Sequence, residues 1–412
     1  MKFWKNLFAA ALLALLCSCN RGEMGFSYTE TSEDGTGQVY VFYAPAASNL
    51  APYISKNLSS ITRSGLPYGG SRKTVLTFAH MDRGEASLLK ISTDEFGNPV
   101  SDTLLTVESG RSASDPEIIT RVLNKVVEEY PEDSNTYTLI LSSHGTGWLP
   151  KGANSNFGRG TIAWDTPIKK TFGSEKIDGV VWEISIQDLA DAIPMKLETL
   201  VFDACLMGGI EVAYELREKV LKLCCSPAEV PGNGFIYSNF CSDLLADAAS
   251  PENFSRVFFE HYRDAQQTGI PTEDSYYGAT VTVVDCSKLE PLAGLCTTLF
   301  EKYRSGIASL DPSDVQRFHR VHSSVDYYRD FFDLEDLLLK AGINAEEDAA
   351  LQAALDACIT YKAATDAFMP NFGGFYINAY CGLSMYLPNQ GNESLDAFYK
   401  TLAWNKATKL VE

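Results

Sequence analysis

The chain has 412 residues, 45% of them hydrophobic, and a formal net charge of -19. That length is ample for a large buried core, and the acidic balance excludes a nucleic-acid partner, because phosphate binding needs clustered Lys and Arg. The same acidity permits attraction of basic substrates and equally serves solubility on an exported surface.

Residues 1–19 read as an export signal, with Lys2 and Lys5 as the positive region and residues 7–16 as an uninterrupted apolar run. That run is too short to span a bilayer. It ends Leu16-Cys17-Ser18-Cys19, which resembles the lipobox of bacterial lipoproteins. The resemblance implies that Cys19 is acylated and anchors the protein to a bacterial cell membrane, with the outer membrane or cell surface as the expected place. An ordinary secretory signal is the alternative. Residues 20–37 are polar, without apolar periodicity, and predict a flexible tether. The fold then begins near Gln38, with one domain expected over 38–250 and a more helical extension over 251–412 whose strands either join the main sheet or form a small second one.

Residues 38–44 predict the first strand, 49–61 a helix, 74–79 a second strand and 86–91 a hairpin-like extension. Asp115-Pro116 marks a helix start, with Asp as N-cap and Pro at the first helical position. Residues 139–143 predict a strand leading into His144, and 199–203 another leading into Cys205. Between them, 151–160 is Gly- and Asn-rich and predicts an exposed loop, followed by a short helix over 186–193. A helix is expected over 206–219, with Glu211, Glu215, Arg217, Glu218 and Lys219 on a charged face. Further on, helices are expected over 252–264, 288–304, 314–321 and 345–368, and strands over 279–284 and 383–387. Strands alternating with helices mean parallel βαβ units in a layered α/β/α domain.

The reactive residues sit where such a sheet uses them. In open parallel sheets the functional crevice lies beyond the carboxyl ends of the strands, where both His144 and Cys205 fall. Cysteine is a nucleophile only as thiolate, and a free thiol with a pKa of about 8.5 is mostly protonated at neutral pH. His144 and the amino end of a helix beginning at Leu206 are the expected activators. The amides of Gly145 and Cys205 are candidate oxyanion donors. With Cys17 lost in the signal, Cys19 lipidated and Cys205 free, seven of the ten cysteines remain, an odd number that means at least one more free thiol or an intermolecular bridge. Cys224-Cys225 lies in an apolar run and predicts buried strand cysteines. No spacing suggests zinc, and Asp34-Gly35 lacks the rest of a calcium loop. His80, His261, His319 and His322 stand in no comparable block and are read as structural.

Ser143-His144-Gly145-Thr146-Gly147-Trp148 and Asp203-Ala204-Cys205-Leu206-Met207, followed by Glu211-Val212-Ala213-Tyr214-Glu215-Leu216, resemble the clostripain family of caspase-like cysteine peptidases. The likeness extends to residues 40–50, to Glu229-Val230-Pro231-Gly232-Asn233-Gly234 and to residues 381–388. It implies a caspase-like α/β/α sandwich with a mainly parallel central sheet. It also implies peptide cleavage after Arg or Lys: Cys205 attacks the carbonyl, His144 protonates the leaving amine, and water hydrolyses the acyl-enzyme. Asp203 matches the carboxylate that receives the basic side chain, with a purely structural role at a strand end as the alternative, and Glu229 and Asn233 are the nearby candidates for a second contribution. The resemblance further implies a zymogen that cuts itself between His144 and Cys205, for which Arg159 and Lys151 are the candidates, and it makes calcium a cofactor to consider although the sequence itself requires none. Partners are then protein or peptide substrates bearing basic residues, met by a monomer. The alternative is a catalytically inactive peptide- or protein-binding lipoprotein of the same fold.

Overall fold

The run Val39-Tyr40-Val41-Phe42-Tyr43-Ala44 is buried throughout, and its side chains drop alternately into two cores: Val39, Val41 and Tyr43 into one, Tyr40, Phe42 and Ala44 into the other. A strand buried on both faces belongs at the middle of a covered sheet. The computed structural model describes residues 35–150, 172–246, 250–268, 270, 272, 274–320, 331–388 and 393–412, and this strand, β1 (Gly37–Pro45), lies near the centre of a nine-stranded sheet.

Further strands are β2 (Lys73–His80), β3 (Ala86–Thr93), β4 (Pro99–Val107), β5 (Asn135–Ser142), β6 (Phe172–Ile177), β7 (Val180–Ile184), β8 (Leu197–Asp203), β9 (Val220–Cys225), β10 (Thr280–Asp285), β11 (Phe332–Asp333) and β12 (Ile359–Ala364), followed by three two-residue strands in the C-terminal part. The main sheet runs β12-β10-β9-β8-β5-β1-β2-β3-β4. Its centre, from β9 to β2, is parallel, and antiparallel strands close both edges. β6 and β7 pair as a separate hairpin. Helices cover both faces, as in Pro116–Glu129, where the Asp115 carboxylate accepts the Glu117 amide and Ile118, Ile119, Val122, Leu123 and Val126 point into the core. Each such apolar side chain contributes about 1.5–3 kcal/mol on burial.

Four expectations are corrected. Residues 206–209 are not helical: Leu206 has φ of 62°, and the helix begins only at Ile210. The amides of Leu206 and Gly208 are drawn instead to the carbonyls of Ala228 and Ser226. Within that helix Glu211 is buried, not part of a charged face. The helix expected over 314–321 is not formed by its described residues 315–320: after the 3-10 turn Pro312–Asp314, Arg317 bridges to Phe332. The helix begun at Ala345 stops at Cys358, where Ile359, Thr360 and Tyr361 enter β12, the β-branched and aromatic residues favouring the strand.

β10 and β12 extend the main sheet beyond β9, so the division expected near Ser250 runs through one sheet, and residues from Asp34 to Glu412 form one compact unit. Strand Ser384–Met385 pairs with β11 in a small second sheet. The eight described cysteines are all free, Cys224 and Cys225 being buried in β9 as expected. No helix among the described residues is long and apolar enough to cross a membrane. The signal, most of the tether, Cys19, Lys151, Arg159 and His322 lie outside the described residues.

Candidate active site

β5 and β8 are parallel neighbours whose register pairs Ser142 with Asp203, and the Ser143 amide extends the ladder to the Asp203 carbonyl. His144 and Cys205, each two residues beyond that pair, thereby emerge side by side at the carboxyl edge. Gly145 packs directly on the Cys205 backbone, since a Cβ there would stand 2.6 Å from the Cys205 carbonyl oxygen and 3.1 Å from the Ala204 Cβ. Only glycine permits that approach.

β1 flanks β5 on its other side, and the loop after it carries Asn49, whose Oδ1 lies 2.8 Å from His144 Nε2. An amide oxygen only accepts, so Nε2 carries the proton and Nδ1 is left as the basic nitrogen. The Asn49 loop is itself fixed by a buried carboxylate. Glu175 on β6 accepts from the Ala47 amide, the Ser112 hydroxyl and the Ala113 amide, and meets His80 Nδ1 at 2.7 Å. β6 also holds the histidine strand, through Gly173 N–H to the His144 carbonyl at 3.0 Å.

Cys205 is half-buried. Its Sγ lies 3.4 Å from the Val230 amide nitrogen and 3.6 Å from the Val230 carbonyl oxygen. Burial pushes the thiol up to about 12, and the charge of Glu229 adds to that, while the Val230 amide and Arg320 oppose it. The expected help from a helix amino end is absent, since the next helix starts at Ile210.

Asp203 is buried and well partnered. Its Oδ2 accepts from Tyr237 at 2.9 Å and Ser142 at 3.0 Å, and its Oδ1 from the Phe235 amide at 3.3 Å. Two carboxylate oxygens offer about four lone pairs, so one remains. Gly234, with φ of 69°, lies over it, and a Cβ there would stand 2.5 Å from Oδ2. Burial pushes the carboxyl up to about 6 against the lowering effect of these hydrogen bonds. Glu229 is no open acceptor, because Arg320 engages both its oxygens at 2.9 and 3.0 Å through Nε. Asn233 is engaged too: its carbonyl accepts from Lys56 at 3.2 Å and its amide donates to Asp274 at 2.9 Å. A carboxylate thus stands behind the neutral residue.

Asn49, Val230, Asp274 and Arg320 escaped sequence reading. For Asn49 a signal existed, since a loop following the first strand of a parallel sheet must run beside the loop after its neighbour. Of the histidines read as structural, His80 is held by Glu175 and His261 by Asp274, and His319 is buried. Among the described residues no group of three or more His, Cys, Asp or Glu side chains is placed to hold a metal ion, so no step is derived through calcium.

The sequence profile of the clostripain family matches residues 42–411. Clostripain of Hathewaya histolytica is 24% identical over 326 residues, which cover 69% of this chain and 59% of that protein, so the chain spans under two thirds of the length of this relative. Among solved structures, an inactive zymogen C11 protease from Parabacteroides distasonis shares 25% identity over 92% of this chain and 99% of its own, with a TM-score of 0.74. A secreted C11 cysteine protease from Bacteroides thetaiotaomicron, solved with an irreversible peptide inhibitor, shares 20% identity over 91% of this chain and all of its own, with a TM-score of 0.75. With paired strand ends carrying histidine and cysteine, the same fold and a profile match over nearly its whole length, this chain belongs to the clostripain family.

Proposed function

We propose that the protein is a cysteine endopeptidase in which Cys205 attacks the peptide carbonyl and His144 moves the proton. The observation that carries this is the β5–β8 register, which delivers both residues to one sheet edge. Asn49 fixes the imidazole tautomer, so His144 Nδ1 takes the thiol proton and then gives it to the leaving amine. The thioester formed on Sγ is hydrolysed by water, with His144 as base. The amides of Gly145 and Cys205 are the proposed donors to the developing oxyanion.

The preferred residue before the scissile bond is Arg or Lys. Asp203, with one lone pair left unused, and Asn233 backed by Asp274 supply the negative potential, and a charge-assisted bond to guanidinium or ammonium is the usual basis of such selection. Self-cleavage after Arg159 or Lys151 accompanies this reading. Residues 151–171 are bracketed by His144–Pro150 on one side and by Phe172 and Gly173 on the other, and the latter two pair with Gly145 and His144. A cut between them severs the connection between the two segments that pair at the proposed catalytic histidine. The inactive zymogen state of the Parabacteroides distasonis relative supports latency, and the protonated resting thiol agrees with it. Export by the leader is supported by the secreted Bacteroides thetaiotaomicron relative. Anchoring through Cys19 and action as a monomer belong to the same proposal.

The test is hydrolysis of matched fluorogenic peptides bearing Arg, Lys, Leu or Asp before the scissile bond, by protein starting at Asn20. Turnover of the Arg and Lys peptides at least tenfold above the others, abolished by Cys205→Ala, is expected. Equal turnover of all four would remove the basic preference, and turnover surviving Cys205→Ala would remove the mechanism.

A further inference from the structure

The Val230 backbone lies against Sγ, and the charge of the preceding residue, Glu229, acts on the same thiol, so Glu229 flanks the place where a substrate would meet Cys205. An unpaired carboxylate there would draw a basic substrate side chain. It is instead clasped by Arg320, which reaches it from the C-terminal part of the chain: beside the two Nε contacts, Nη2 stands 2.8 Å from Oε2. The two side chains are only 14% and 18% exposed, so solvent screens them weakly, and removing Arg320 takes from Glu229 the guanidinium that compensates its charge beside Cys205. Both charges act on the Cys205 thiol in opposite directions, Glu229 raising and Arg320 lowering its proton affinity, so both lie within electrostatic reach of Sγ.

We propose that Arg320 is a specificity-determining residue, which neutralises Glu229 so that the cleft wall beside Val230 takes an uncharged substrate side chain and a basic one is left to the recess at Asp203. This rests on the peptidase reading above. Without Arg320, the Glu229 charge is satisfied by a cation on the substrate.

The test scans each position flanking the Arg or Lys of a fluorogenic peptide with Ala, Lys and Glu, using the full mature chain and the variants Arg320→Gln, Glu229→Gln and both together. At one position Arg320→Gln gains about tenfold in kcat/KM for Lys over Ala. The double variant keeps the original preference. A folded, active Arg320→Gln protein with unchanged preferences at every position would overturn the proposal, and if Arg320→Gln does not fold, the alkylation of Glu229→Gln decides. A second readout needs no substrate. The other described cysteines are buried, so iodoacetamide reports on Cys205, and Asp203, whose charge also raises its thiol, is the same in every variant. Arg320→Gln moves the pH midpoint of alkylation upward and Glu229→Gln moves it downward, whereas midpoints moving together would mark a merely structural pair and contradict the proposal. No cleavage of any peptide by the unmutated protein would sink the peptidase reading and this proposal with it, while cleavage with unchanged preferences in the variants would sink this proposal alone.

Discussion

Asp203 holds three internal donors and stands two residues before Cys205, so mutation can separate its structural duty from the proposed one in substrate selection. Its carboxyl is pushed up to about 6, so it is ionised only above that pH. KM for Arg peptides should therefore fall as pH rises through about 6, and Asp203→Asn should lose that dependence and raise KM about tenfold for Arg peptides but little for neutral ones. Equal loss on every peptide would assign Asp203 to structure alone. Asn49 makes a different prediction, because it touches the imidazole and not the substrate recess. Asn49→Ala should lower kcat about tenfold with KM nearly unchanged, as steady-state kinetics on one Arg peptide would show. Neither this contact nor the Arg320–Glu229 pair has a local sequence signature, since each joins residues far apart in the chain.

At the scale of elements, the amphipathic runs and capping residues located most helices, including the one begun by Asp115-Pro116, and strand signals located β1, β2, β5, β8 and β10. The failures have physical causes. A helix could not start at Leu206 because the chain there spends its amides on the Ala228 and Ser226 carbonyls, a long-range pairing that no local pattern reveals. Glu211 is the second surprise. It sits in a helix with charged neighbours, yet it is buried and accepts from the Tyr386 amide and the Tyr399 hydroxyl, while Trp148, from the segment after His144, packs on both tyrosine rings at 5.0 Å. This cluster ties the histidine loop to the C-terminal part. Burial pushes the Glu211 carboxyl up to about 7, so folding favours its protonated form. Its stabilising contribution is full below the ordinary carboxylate range and is lost as pH rises through about 7. Glu211→Gln should flatten the decline in Tm between about pH 4.5 and 7 by on the order of a few degrees, and thermal melts at several pH values would show it. An unchanged slope would mean that Glu211 does not carry it.

Over the whole molecule, the order β9-β8-β5-β1-β2 explains why a sequence with its reactive residues far apart builds one site: parallel crossovers return each strand end to the same edge. That much was legible from two apolar runs ending in Ser-His-Gly and Asp-Ala-Cys. The C-terminal contribution was less so, because β10 and β12 join the sheet through antiparallel pairings that local periodicity cannot assign, and Arg320 enters the cleft from a segment read as a helix. Self-processing also belongs to this scale. On a denaturing gel the protein should give two fragments, with a new amino terminus at Gly160 or Gly152 by sequencing, and Cys205→Ala should remain whole. The same cut in the Cys205→Ala protein would show that another peptidase makes it. The central claim is that Cys205, beside His144, is the attacking atom, and covalent capture tests it most directly. Treated with a peptidyl chloromethyl ketone bearing Arg, the protein should gain one inhibitor mass, mapped by peptide mass spectrometry to Cys205 and absent from Cys205→Ala, whereas folded protein that cleaves peptides yet carries the label elsewhere, or still cleaves after Cys205 is replaced, would contradict it.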